Sequence, residues 1–251
     1  GREQLYRYCE EHAVAHRRCG KLVVATCDEE RPRLQHYFDT AAGNGVPDLA
    51  WLTPAEVTAL EPAVRCVAAL WSPSTGIVSS HEFMRALRAE VTGARLGDSA
   101  HRVVVQQDGT RHELSARLLV NAAGLDAQSV AHTFADLDPR TIPVRHLAKG
   151  HYFTLQGRAP FRHLVYPVAG GGGLGIHVTL DLAGAARFGP DVEWVASVDY
   201  SVDERRRDAF AAAIRRYYPD LDHTRLRPGY TGIRPKLAGP GEPAADFCIH
   251  G

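Results

Sequence analysis

The densest glycine run in this chain constrains its fold most strongly. Four consecutive glycines occupy positions 170–173, a fifth follows at Gly175, and an alternating segment covers residues 176–180. Glycine at this density serves backbone that turns with positive φ or lets another group come very close. The alternation predicts a β-strand with its apolar side chains in a core, so that His177 and Thr179 point together to the other face. Because no helix pattern follows the glycines, we interpret them as a turn between strands and this polar face as part of an active site.

The composition indicates a globular protein without a nucleic-acid partner. Of the 251 residues 45% are hydrophobic and 23% charged, which permits a substantial core in one large or two modest domains. Lys plus Arg and Asp plus Glu number 29 each, so no basic excess attracts nucleic acid or anionic lipid. Five cysteines without C-x-x-C spacing predict reduced thiols in the cytoplasm, with no metal site.

The two ends of the sequence predict an excerpt from a longer protein. There is no initiator Met, and a helix pattern begins directly after Gly1. The last residues, 246–251, have the pattern of a strand. We therefore expect both termini to be truncated.

The order of elements predicts a mixed α/β fold. In the first half, a buried strand at 116–120, a small-residue turn and a helix at about 125–134 form a unit typical of nucleotide-binding folds. In the second half, strand patterns follow one another and only one helix, at 202–217, interrupts them. That arrangement favours a mixed, largely antiparallel sheet.

The turn after the predicted strand at 116–120 is a candidate cofactor contact. Small residues let the backbone approach the phosphates or ribose of a cofactor closely. The residues concerned are Asn121, Ala122, Ala123 and Gly124. A tight strand-to-helix crossing in any α/β protein explains the same pattern equally well. No G-x-G-x-x-G links a strand to a helix, so the usual dinucleotide fingerprint is missing.

Arg234 is a candidate carboxylate-binding residue. It lies in the segment Gly232-Ile233-Arg234-Pro235, and proline restricts the residue before it to extended backbone. A guanidinium fixed in this way can bind a carboxylate through two parallel hydrogen bonds. The competing interpretation is a solvated arginine on a loop.

His177 is the candidate proton acceptor, with Tyr166, Thr179 and Lys149 as candidate substrate contacts. An imidazole on the polar side of a strand can take up a proton near neutral pH. Lys149 stands at the start of its own predicted strand and offers another base or anion contact. The chain contains 13 histidines, so a single one is more often structural or exposed to solvent.

Several segments together resemble the flavin-dependent oxidoreductases of the D-amino-acid oxidase superfamily, and within it the L-2-hydroxyglutarate oxidase/dehydrogenase branch. The resemblance extends from end to end of the chain. The segments that carry it are GKLVVA at 20–25, GIV at 76–78, LVNAAG at 119–124, KGHYF at 149–153, YPV at 166–168, GLGIHVT at 173–179, FGPD at 188–191 and GIRPK at 232–236.

The resemblance implies an FAD-binding Rossmann-like domain, incomplete in this chain, interleaved with a substrate domain on a mixed sheet. Residues 1–20, 79–140 and 234–251 would belong to the FAD-binding domain, and residues 21–78 and 141–233 to the substrate domain. Residues 121–124 match a cofactor-contacting turn of the family. Much of the FAD site would lie outside these residues.

The implied reaction is the oxidation of an L-2-hydroxy acid, with L-2-hydroxyglutarate as the expected substrate and FAD as the hydride acceptor. Arg234 would bind the C1 carboxylate, His177 would take the hydroxyl proton or polarise the hydroxyl, and Tyr166 and Lys149 would contact the distal carboxylate. Oxygen or a membrane quinone would reoxidise the flavin, the latter implying a peripheral location at the inner face of the membrane. The alternatives are an amino-acid or N-methyl-amine oxidase of the glycine or sarcosine oxidase type, and a fragment that is inactive by itself.

Overall fold

A nine-stranded mixed sheet is the centre of the molecule. The computed structural model describes residues 1–91, 101–107, 109–116, 118–134, 137–168, 175–243 and 245. The strands of the sheet are β2 (Lys21–Ala25), β3 (Ala50–Leu52), β4 (Ala68–Ser72), β8 (His146–Leu155), β9 (Leu164–Pro167), β10 (Val178–Leu180), β11 (Ala186–Phe188), β12 (Glu193–Val195) and β13 (Leu226–Lys236). Their order is β12-β8-β11-β10-β9-β2-β4-β3, and β13 also pairs with β8. The expected mixed, largely antiparallel sheet is confirmed, because only β2 and β9 pair in parallel among the described strands.

Two small strand pairs lie outside this sheet. The first joins β1 (His16–Arg17) to β5 (Ile77–Val78), and the second is the hairpin of β6 (His101–Gln107) and β7 (Thr110–Ala116). The hairpin was expected from the turn dipeptide Asp-Gly at 108–109, of which residue 108 lies outside the described residues.

Six α-helices accompany the strands in the described part of the chain: α1 (Arg2–Glu11), α2 (Arg31–Gly43), α3 (Pro54–Leu60), α4 (Ser80–Val91), α5 (Ala127–Ala131) and α6 (Arg207–Arg215). The start of α3 shows most clearly how neighbouring residues in the sequence determine where a helix begins. The Thr53 hydroxyl accepts a hydrogen bond from the Glu56 backbone N–H, and the Glu56 carboxylate accepts one from the Thr53 backbone N–H at 2.7 Å, as is typical of a Thr-Pro-x-Glu pattern. Among the described residues, no helix has both the length and the apolar character needed to cross a bilayer.

The two faces of the sheet pack differently. A large buried cluster joins strands β2, β8, β9, β10 and β11 to α6, where Phe153 lies against Phe210 at a ring-centroid distance of 4.7 Å. A smaller cluster joins α2, through Leu34, to β2 and β4, through Ala25 and Leu70, on the opposite face. The first face is therefore the core side under α6, and we refer to it as the α6 face.

The strand predicted at 116–120 is wrong. Strand β7 ends at Ala116, and the following apolar side chains are largely exposed, Leu118 at 77% and Val120 at 72%. A strand needs a neighbour to take its backbone hydrogen bonds, and none of the described strands pairs with these residues. The helix predicted after them is a 3₁₀ turn, Gly124–Asp126, followed by the short α5. The glycine turn at 170–173 and the terminal strand at 246–251 lie outside the described residues.

The division into two interleaved domains stays a prediction. The nine strands of the large sheet come from the segments assigned to the substrate domain, with one difference at the end. Strand β13 continues without interruption to Lys236, three positions beyond residue 233, where the substrate domain was expected to end.

Candidate active site

Sheet register places a row of polar side chains on the face opposite α6. Residues directly opposite one another on neighbouring strands share a face, as do residues two apart on one strand. Thr179 lies opposite Arg187, which lies opposite Thr154, and Ala148 lies opposite Arg234. On β8, positions 148, 152 and 154 alternate with Phe153, which belongs to the core. We call this side of the sheet the polar face; it carries Tyr152, Tyr166, His177, Thr179, Arg187 and Arg234.

His177 is buried against Tyr166 on the polar face. The two rings stack with centroids 3.9 Å apart and an interplanar angle of 18°. Only 6% of His177 is exposed. Burial lowers the pKa of the imidazole from 6.5 to about 4; the Gly175 backbone opposes this shift and the charge of Lys21 adds to it. The ring is therefore neutral at pH 7, and its buried Nδ1 has no hydrogen-bond partner among the described residues.

Tyr166 is fixed from three sides. His177 stacks on its ring, the Lys21 ammonium lies 5.2 Å from the ring centroid, and Thr179 hydrogen-bonds its hydroxyl. Burial raises the pKa of Tyr166, with the Thr179 hydrogen bond working against the rise. Burial likewise lowers the pKa of Lys21. Tyr166, Thr179 and His177 thus form one contiguous group, as the sequence predicted from the alternation at 176–180.

Arg234 lines a cavity of about 220 Å³ at the junction of β8, β13 and the loop before β12. Its guanidinium is exposed and pairs with no carboxylate in the described part of the chain. Tyr152 lines the same cavity. An unpaired guanidinium at the wall of a cavity is available to an anionic ligand.

Two glycines shape the floor of this cavity, where β13 crosses β8. Gly150 and Gly232 lie opposite each other. A Cβ on Gly150 would come within 2.5 Å of Pro190 Cβ, so the close packing of this proline requires glycine. A Cβ on Gly232 would meet no atom within 4 Å, so open space lies above the sheet beside Arg234.

A buried ionic network fixes the loop that closes the cavity. Asp191 accepts a hydrogen bond of 2.7 Å from the His151 backbone and lies 3.1 Å from the His151 Nδ1. Arg206 donates to Asp191 at 2.7 Å and to Glu193 at 2.9 Å. Because Asp191 neighbours Pro190, this network holds the cavity wall in place from the α6 side.

Lys149 lines the same cavity as Arg234, but its ammonium is already paired. It alternates with Tyr152 along β8 and so points to the α6 face. There its ammonium donates to Asp199 at 2.8 Å and to Ser201 at 3.4 Å. The hydrogen bonds from Lys149 and Ser201 hold the pKa of the Asp199 carboxyl far below its usual range. The lysine is 4% exposed and already paired, so we do not include it in the site.

Sequence analysis did not single out three aromatic and basic residues of the polar face. Tyr152 and Tyr230 stack with centroids 4.6 Å apart, and the Arg187 guanidinium carbon lies 4.8 Å from the Tyr230 centroid. The alternation of Ala186, Arg187 and Phe188 was the available signal, since the arginine must point away from the two buried neighbours. The sequence does not show that β11 lies between β8 and β10, which is what makes that face relevant.

Comparison with known proteins decides the family. Residues 1–250 match the family described as FAD dependent oxidoreductase. The chain belongs to this family. The L-2-hydroxyglutarate dehydrogenase, mitochondrial, of Arabidopsis thaliana is 39% identical over 100% of this chain and 63% of its own length. The human protein of the same name is 28% identical over 76% of this chain and 46% of its own length. The chain thus spans less than two thirds of the length of these relatives.

Solved structures of two oxidases share the fold. A glycine oxidase from Geobacillus kaustophilus superposes with a TM-score of 0.72 at 20% identity, covering 94% of this chain and 65% of the other. The L-alpha-glycerophosphate oxidase from Mycoplasma pneumoniae with FAD bound superposes with a TM-score of 0.70 at 21% identity, covering 89% and 62%. At these identities the likeness establishes the fold, and the predicted FAD-dependent oxidoreductase superfamily is confirmed by the family match.

Residues 121–124 fit a contact to part of the FAD. Gly124 has φ +58°, and a Cβ there would meet no atom within 4 Å, so the backbone of the turn is accessible. Asn121 shapes the turn, because its Nδ2 donates to the Ala127 carbonyl at 2.7 Å and its Oδ1 accepts from the Ala123 N–H at 3.2 Å. An exposed turn of small residues admits a ribose or phosphate, and we propose this role for Asn121, Ala122, Ala123 and Gly124.

Proposed function

We propose that this protein oxidises an L-2-hydroxy acid, with L-2-hydroxyglutarate as substrate and 2-oxoglutarate as product. The observation that carries the proposal is that one face of the sheet carries both an unpaired guanidinium at Arg234, which lines the cavity, and a buried neutral imidazole at His177. The relatives named L-2-hydroxyglutarate dehydrogenase support the choice of substrate.

Each of these residues of the polar face would have a separate role in the oxidation. Arg234 binds the C1 carboxylate through paired hydrogen bonds and so orients C2. His177 Nδ1, neutral and without a partner, accepts the hydroxyl proton as C2 loses its hydride. Bound FAD supplies the acceptor for that hydride. Tyr166 holds the imidazole plane by stacking, and Thr179 fixes the Tyr166 hydroxyl.

Anaerobic flavin reduction tests the substrate. In the FAD-loaded holoenzyme, L-2-hydroxyglutarate should bleach the absorbance at ~450 nm that bound flavin shows. Glycine and sarcosine should leave it unchanged. Rapid bleaching by either amine, with none by the hydroxy acid, would instead assign the protein to the amine oxidases of the superfamily.

Arg234→Lys tests the carboxylate contact in the same assay. Lysine keeps the positive charge but cannot form two parallel hydrogen bonds from one planar group. KM should therefore rise about 10- to 100-fold, which corresponds to the affinity lost with charge-assisted hydrogen bonds. A matched control is Arg205→Lys, at an arginine whose side chain is 90% exposed and paired with Asp203. An unchanged KM in Arg234→Lys would exclude the role.

The electron acceptor and the cellular location belong to the same proposal. We propose reoxidation by oxygen or a membrane quinone, in a cytoplasmic protein that binds peripherally at the inner face of the membrane when quinone is the acceptor. Mixing the reduced holoenzyme with oxygen and, separately, with a soluble quinone analogue compares the two acceptors. Faster reoxidation by the quinone, together with sedimentation with lipid vesicles, would support the membrane location.

A further inference from the structure

Arg187 is a second cation of the polar face that the reaction described above does not use. Its Nη1 donates to the Tyr230 hydroxyl at 3.4 Å, and its guanidinium lies over the Tyr230 ring. Its Nε is buried and has no hydrogen-bond partner among the described residues. No carboxylate of the described chain pairs with it. A buried donor without an acceptor is uncommon in proteins, and this one is available to an acceptor from outside the chain.

Tyr152 connects this arginine electrostatically to Arg234. Burial raises the pKa of Tyr152, whereas the positive charges of Arg234 and Arg187 both lower it. The hydroxyl of Tyr152 is therefore within electrostatic reach of both guanidinium groups. Tyr152 lines the cavity of Arg234, and it stacks on Tyr230, over which the Arg187 guanidinium lies.

The register gives the span between the two arginines. Arg234 lies opposite Ala148 and Arg187 opposite Thr154. At about 3.3 Å per residue the two positions are about 20 Å apart along β8, and β11 and β13 lie on opposite edges of β8, two strand spacings of about 4.8 Å apart. The Arg187 side chain shortens this distance, because its guanidinium lies over Tyr230, whose ring stacks on the cavity residue Tyr152. A flexible dianion with one carboxylate at Arg234 would extend from the cavity toward Arg187.

We propose that Arg187 binds the second carboxylate of the substrate and thereby selects dicarboxylic over monocarboxylic 2-hydroxy acids. The inference rests on the proposed function, in which Arg234 binds the C1 carboxylate. Tyr230 contributes by holding the guanidinium in place through stacking and a hydrogen bond, which reduces the entropy lost on binding.

Lys21 is the rival cation on this face. It lies over Tyr166 and is positively charged at neutral pH unless burial removes the proton. Two features favour Arg187. The planar guanidinium matches a carboxylate, whereas an ammonium is a point charge. Lys21 also lies on β2, which is separated from β11 by β10 and β9, so it does not face Arg234 across Tyr152.

The test compares two substrates in the FAD-loaded holoenzyme: L-2-hydroxyglutarate, with two carboxylates, and L-2-hydroxybutyrate, with one. Arg187→Met should lower kcat/KM for the dicarboxylate about 10- to 100-fold and change that for the monocarboxylate less than about 2-fold. Arg187→Lys should recover part of the loss. Titration calorimetry with unreactive glutarate and butyrate should show the same selective weakening in binding alone.

Two further variants make the test specific. Arg227→Met removes an arginine that also lies opposite Thr154 but donates to the Thr224 carbonyl, so it should leave both substrates unaffected. Lys21→Met tests the rival, and a selective loss in this variant but not in Arg187→Met would overturn the assignment. Equal losses for both substrates in Arg187→Met would also overturn it. If the wild-type flavin is reduced by neither hydroxy acid, the proposed function itself has failed.

Discussion

At the scale of the residue, burial decides what His177 can do. An exposed imidazole is half protonated near pH 6.5, so about a quarter of it carries a proton at pH 7 and cannot accept another. Stacking on Tyr166 removes water from the ring and lowers its pKa to about 4. The depressed pKa keeps the acceptor form available over the whole physiological range.

The pH profile of the holoenzyme tests this assignment. Because His177 accepts a proton only when neutral, kcat/KM for L-2-hydroxyglutarate should fall with decreasing pH only near the pKa of about 4, and should be level above pH 5 to 6 if no other group titrates there. Steady-state rates in overlapping buffers measure it. His177→Asn should lower kcat about 100-fold or more, the usual contribution of a positioned base. An acidic limb centred near pH 6.5 would contradict a desolvated imidazole.

At the scale of the element, β8 shows how one strand serves two surfaces. Odd-numbered positions such as Lys149, His151 and Phe153 face α6, and even-numbered positions such as Tyr152 face the candidate site. Hydrogen bonds from the Lys149 ammonium connect the strand to the segment at 199–201. The same strand therefore carries a structural ion pair on one side and a wall of the cavity on the other.

Replacing Lys149 separates these two roles. Lys149→Met keeps the length and the apolar stem of the side chain but loses the hydrogen bonds to Asp199 and Ser201. Thermal unfolding should show a Tm lower by about 2–4 °C, while KM for the hydroxy acid changes less than about 2-fold. Thermal scans and steady-state kinetics on one preparation give both values. A KM raised ten-fold or more, at an unchanged Tm, would place Lys149 in the substrate site after all.

At the scale of the whole molecule, the site depends on the unequal covering of one sheet. The large apolar cluster under α6 provides most of the buried core, including Phe153, Phe210 and Tyr217. On the opposite face α2 packs over β2 and β4 through Leu34. The core can therefore hold the strands rigidly from one side while the other side presents polar groups to a ligand.

Acid sensitivity of folding follows from the same burial. The folded protein protonates His177 near pH 4, whereas the unfolded chain does so near pH 6.5. The unfolded state binds more protons between these values, so this residue lowers the free energy of unfolding as pH falls from 6.5 towards 4, by about 3 kcal/mol in total. Above pH 6.5 it contributes no pH dependence. Urea unfolding at pH 7 and pH 4.5 measures the change.

The control for that measurement is His177→Phe, which keeps a stacked ring and removes the titrating group. This variant should lose less stability between pH 7 and pH 4.5 than the wild type. An equal loss in both proteins would show that other groups account for the acid sensitivity.

What the sequence determined by itself rests on local rules. The two-residue period of a strand placed His177 and Thr179 opposite the core residues Val178 and Leu180. The cap at Thr53 and the extended backbone at Arg234 are likewise properties of adjacent residues. These features were predictable because they depend on sterics and hydrogen bonds within a few positions.

Only the tertiary structure decided which face of each strand meets a ligand. Periodicity distinguishes the two sides of a strand, but not which side the neighbouring strands and helices will cover. For that reason the pairing of Lys149 with Asp199 was not foreseen, Arg187 was overlooked on β11, and the apolar run at 116–120 was assigned to a strand that has no partner among the described residues. Side chains on strands far apart in sequence form one polar face because pairing distances of about 4.8 Å bring the strands together, and that pairing is a long-range property of the fold.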